Sequence, residues 1–60
     1  MEYQKHYAEI RESDHIIYSG SLATIKYQWD NLALSNKHGI FALIALAIDG
    51  KWYRLSWMQK

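Results

Sequence analysis

Nine consecutive apolar residues, Ile40 to Ile48, stand between Gly39 and the pair Asp49-Gly50, and the segment Lys51 to Met58 then mixes aromatic and polar residues in near alternation. An Asp-Gly pair flanked in this way reads as a type I′ hairpin turn, whose two central positions both need positive φ. The alanines and leucines of the first arm also suit a helix. Strand is preferred because glycines bound the run at strand length and the second arm has the composition of a pleated surface. A two-residue turn sets Ile48 opposite Lys51, Leu46 opposite Tyr53, Ile44 opposite Leu55 and Ala42 opposite Trp57, all on one face. The other face then carries Phe41, Leu43, Ala45 and Ala47 with Trp52, Arg54, Ser56 and Met58.

Upstream, Leu22, Ile25, Trp29 and Leu32 recur at the spacing that lines one side of a helix, which predicts a helix over about 21–34. Ser21 is its candidate N-cap, Thr24, Lys26, Gln28 and Asn31 face solvent, and Ser35-Asn36-Lys37-His38-Gly39 supplies the stop. His15-Ile16-Ile17-Tyr18 has strand composition, and 7–11 can pair with 15–19 across Glu12-Ser13-Asp14. Tyr3, Tyr7 and Ile10 also fit a helical spacing, so a short N-terminal helix is the alternative. The expected fold is α+β: a small antiparallel sheet, in ββαββ order along the chain, with one amphipathic helix packed on one face. Residues 1–60 form a single domain.

Composition narrows the function classes. A chain of 60 residues buries a small core and is marginal in stability unless something supplements it. The chain has no cysteine, which excludes disulfides and thiolate metal sites and suits a reducing compartment, so a cytoplasmic protein is expected. Met1 to His6 has no signal-peptide character, and nine apolar residues fall short of the roughly 20 that a membrane-spanning helix needs. Half the residues are hydrophobic and the net charge is +1, which argues against disorder and against a strongly basic nucleic-acid binder.

Little in the chain points to catalysis. His6, His15 and His38 belong to different elements and share no ligand spacing. Ser19-Gly20-Ser21 lacks the frame of a phosphate loop or a nucleophile turn and reads as capping chemistry. No enzyme activity and no cofactor are expected. One helix covers one sheet face, and the face of Ile44, Leu46, Ile48, Leu55 and Trp57 is the expected one. Phe41, Leu43, Ala45, Ala47, Trp52 and Met58 then form a spare apolar patch, with Trp52 and Arg54 as its anchors. The expected function is a protein-protein interaction module that self-associates as a homodimer, acting as a small regulator or inhibitor of a larger protein. If residues 1–12 instead fold as a helix over the patch, the chain is a monomer. The alternative function is a nucleic-acid binder that stacks bases on Trp52, Tyr53 and Trp57 beside Arg54.

Overall fold

The structure, a computed structural model, describes the backbone of residues 3–60 and the side chains of residues 7–60. The side chains of Tyr3 and His6 lie outside the described residues. Strands β1 (Tyr3–Glu12) and β2 (His15–Gly20) form the first hairpin, α1 (Leu22–Leu34) follows, and β3 (Ile40–Ala47) and β4 (Trp52–Gln59) form the second. All pairings are antiparallel and the sheet order is β2-β1-β3-β4, so the two hairpins meet through their first strands. This is the expected α+β fold in ββαββ order. The N-terminal helix alternative does not hold, because residues 3–12 are a strand at the centre of the sheet. No helix among the described residues is long and apolar enough to cross a membrane.

Local chemistry sets the element ends. Ser21 is extended, with φ −66° and ψ 151°, and its Oγ accepts from the Thr24 N–H at 3.2 Å, a cap contributing about 1 kcal/mol. The far end of α1 has no basic residue in its last turn. Lys60, just past β4, fills that role: its Nζ donates to the carbonyls of Leu32 at 2.8 Å and Ala33 at 3.2 Å, and to that of Ser35. A cation on these carbonyls complements the negative end of the helix dipole and ties the end of β4 to α1.

The second hairpin departs from the expected register. Asp49 keeps a negative φ and only Gly50 is positive, at +84°, so the loop has three residues, closed by Gly50 N–H to Ala47 O at 3.0 Å and Ala47 N–H to Lys51 O at 2.8 Å. The physical reason is that a Cβ disfavours the left-handed region, and a three-residue loop asks for it at the glycine alone. Leu46 therefore faces Trp52 and Ile44 faces Arg54, rather than Tyr53 and Leu55. A bulge at Leu55 then restores the count, and Ala42 meets Trp57 as expected. A matching bulge at Ile17 interrupts β2. Both bulged residues pack against the core.

The helix covers the opposite sheet face from the expected one. Ile25 and Leu32 are buried and Leu22 and Trp29 partly so, as their spacing predicts, but they meet Ala8, Ile10, Phe41, Leu43 and Ala45. The reason is steric. Ala8 and Ala45 are partners across β1 and β3, both fully buried, and they make a shallow floor on which a helix can seat. The face of Ile44 and Leu46 offers no such floor. If the floor sets the helix position, Ala45→Leu overpacks it and costs about 1–3 kcal/mol in urea unfolding. The same change at the exposed helix position Ala33 stays within about 0.5 kcal/mol.

Candidate functional site

Placing α1 on the alanine floor leaves one broad sheet face uncovered. Strand alternation and the observed register put Tyr7, Glu9 and Arg11 of β1 on it, with Ile16 of β2, Ala42, Ile44 and Leu46 of β3, and Trp52, Arg54 and Trp57 of β4. Large apolar side chains stand open to solvent here: Trp57 is 51% exposed, Ile16 53% and Trp52 43%. Trp52 and Trp57 of β4 adjoin Leu46 and Ala42 of β3 there, while Glu9 and Arg11 of β1 lie between them and Ile16 of β2.

The expected partner-binding residues divide between the two faces. Trp52 and Arg54 lie on the open face. Phe41, Leu43, Ala45 and Ala47 do not: they are 0–4% exposed and form no surface, the first three packed in the core with the helix. Met58 pairs with Phe41 and packs against the same core. Ile44, Leu46 and Trp57, expected to meet the helix, are instead open-face residues, and Ile48 sits exposed in the hairpin loop. Tyr53, proposed for base stacking, pairs with Ala45 on the helix side, and its hydroxyl donates to Asp49 Oδ2 at 2.8 Å.

The centre of the open face holds a charge that the sequence reading did not single out. Glu9 is 3% exposed. Arg11 donates to Glu9 Oε1 from Nε at 3.2 Å and Nη2 at 3.1 Å, and the Tyr7 hydroxyl donates to Oε2 at 3.2 Å. The Tyr7 ring also meets Trp52 edge-on, with centroids 5.3 Å apart. Three residues at i, i+2 and i+4 on a strand share a face, so Tyr-x-Glu-x-Arg was the available signal. The triad neutralises a buried carboxylate from within the chain, which lets the middle of the face be covered without stranding a charge.

Elsewhere, a groove of about 220 Å³ lies between β2 and the end of α1, lined by Tyr18, Gln28, Asn31, Leu32, Ser35 and Lys37. His15 and His38 are both exposed. No group of three or more His, Cys, Asp or Glu side chains that could hold a metal ion occurs among the described residues. Comparison of the chain with protein-family models, with curated proteins and with solved structures finds no match.

The triad makes an asymmetric prediction. Arg11→Met leaves the buried Glu9 carboxylate with one hydroxyl partner and destabilises the chain by about 1–2 kcal/mol, moderated by the solvent exposure of Arg11. Glu9→Leu removes the buried charge itself and costs less than half as much. Urea denaturation of the two variants side by side measures the difference.

Proposed function

We propose that this chain is a protein-interaction module that docks through the open sheet face. The observation carrying the reading is the coincidence on one surface of exposed Trp52 and Trp57, the aliphatic side chains of Ile16, Ile44 and Leu46, and a central carboxylate already neutralised by its own neighbours. Contact through the face is favoured over strand addition at an edge, because β2 and β4, the two edge strands, each carry a bulge that disrupts the regular ladder another strand would extend. Trp52 and Arg54 are the preferred anchors, joined by Trp57, since Trp and Arg concentrate binding energy at interfaces. The role is that of a non-enzymatic regulator or inhibitor of a larger protein, and the absence of cysteine fits action in a reducing compartment such as the cytoplasm.

Base stacking on the same face is the second reading, favoured by Trp52, Arg54 and Trp57 sharing one strand. It is weaker because Arg11 is committed to Glu9 and the Trp52 ring is engaged by Tyr7.

Photo-crosslinking tests the docking face in cells that make the protein. With benzoylphenylalanine in place of Trp57, the expected outcome is a discrete protein adduct; with the same residue in place of Tyr27 on the outer side of α1, none. Equal labelling from both positions, or none from position 57, contradicts the reading. Adducts to nucleic acid from position 57 establish the second reading in its place.

A further inference from the structure

We infer that the occupant of the open face is a second copy of this chain, stacked sheet to sheet so that the two helices lie on the outside of a four-layer α/β/β/α sandwich. The inference rests on the docking reading above and adds the identity of the partner.

Area is the first argument. Four strands spaced about 4.8 Å apart and averaging eight residues present roughly 500 Å² of flat sheet before side-chain relief is counted, so two stacked copies reach the roughly 1,000 Å² in total that a specific interface requires. Such a face is large for a chain whose whole accessible surface is 4212 Å². Covering it with a copy enlarges the hydrophobic core of a 60-residue chain from both sides at once.

The placement of charge is the second. At the centre of the face, on β1, the Glu9 carboxylate is neutralised by Arg11 and Tyr7 within the same chain, so a copy need supply no counter-charge there. The other cation on this face, Arg54, lies on the edge strand β4, where a long side chain keeps its head in water at the rim of a stacked pair.

Shape is the third. On the open face the β4 edge is thick, with Trp52 and Trp57, and the β2 edge is thin, with Ile16 and Ser19. A two-fold axis running along the strands lays the thick edge of each copy over the thin edge of the other, a self-complementary fit. Ile16, Ala42, Arg11 and Trp57 lie at one level across the sheet, so that axis sets Trp57 of one copy over Ile16 of the other. Two-fold closure of this kind covers the middle of the face and leaves no open end for further addition.

The test uses the purified full chain. Sedimentation at micromolar concentration is expected to give twice the monomer mass, with Trp57→Lys weakening the dimer by at least about tenfold. Trp57 is half exposed, so the variant should keep the fold, and far-UV circular dichroism checks that it does. Because the chain has no cysteine, introduced thiols report the axis cleanly. A short bismaleimide should couple the double variant Ile16→Cys/Trp57→Cys into dimers and leave each single variant monomeric on denaturing gels. Coupling in the single variants overturns the axis. A wild-type chain that sediments as a monomer overturns self-association. If position 57 still crosslinks to a protein of another mass in cells, the docking reading survives that result; if it crosslinks to nothing, both fall.

Discussion

The helix packs on the sheet face where two small residues meet across the central strands. Ala8 and Ala45 face each other across the two central strands with no exposed surface, and α1 settles there and closes Ile10, Phe41 and Leu43 beneath it. Everything else about the surface follows from that seat. β1 and β3 alternate, so committing Ala8, Ala45 and Phe41 to the helix sends Glu9, Ile44 and Leu46 to the far side. With the observed register they are joined there by Trp52 and Trp57. The core and the open face are thus two results of a single steric choice.

The bulges refine that choice. At Ile17 and at Leu55 an edge strand gains one residue against its neighbour, and each extra side chain turns toward the helix. With strict alternation Leu55 would share a face with Tyr53 and Trp57, and Met58 would share the other with Trp52 and Arg54. The bulge at Leu55 lets Leu55 and Met58 serve the core while Arg54 and Trp57 remain outside. The same irregularities spoil the edges as templates for another strand, which leaves the broad face as the surface suited to contact.

The local elements were legible in the sequence because each rests on a local cause. Ser21 caps, the three-and-four spacing from Leu22 to Leu32 marks a helix, and Asp49-Gly50 turns the chain. Which face the helix covers was not legible. An all-apolar strand carries no parity signal, so Ile40 to Ile48 fits a helix on either side, and the deciding pair, Ala8 with Ala45, is formed by residues 37 apart that only the β1–β3 pairing unites. The register was misread at the loop, where one glycine in the left-handed region closes three residues instead of two. Two displacements then offset each other for Trp52 and Arg54. The shifted register moved them to the Ile44 side, and the helix took the other side, so both stay open. Met58 lies beyond the bulge, where the original register is restored, and so it joins the core. The Tyr7, Glu9 and Arg11 triad could have been found once 7–11 was read as strand, since alternate positions share a face.

The proposed function rests on the same division of faces: one surface is covered by the chain's own helix and the other is not. The most direct measurement of that division is a set of nuclear Overhauser contacts from the methyl groups of Ile25 and Leu32. Cross-peaks to the Phe41 ring and to the Ala8 and Ala45 methyls, with none to Leu46 or the Trp52 indole, are the predicted result. Cross-peaks to Leu46 and Trp52 in place of Phe41 and Ala45 would put the helix on the other face and contradict the account.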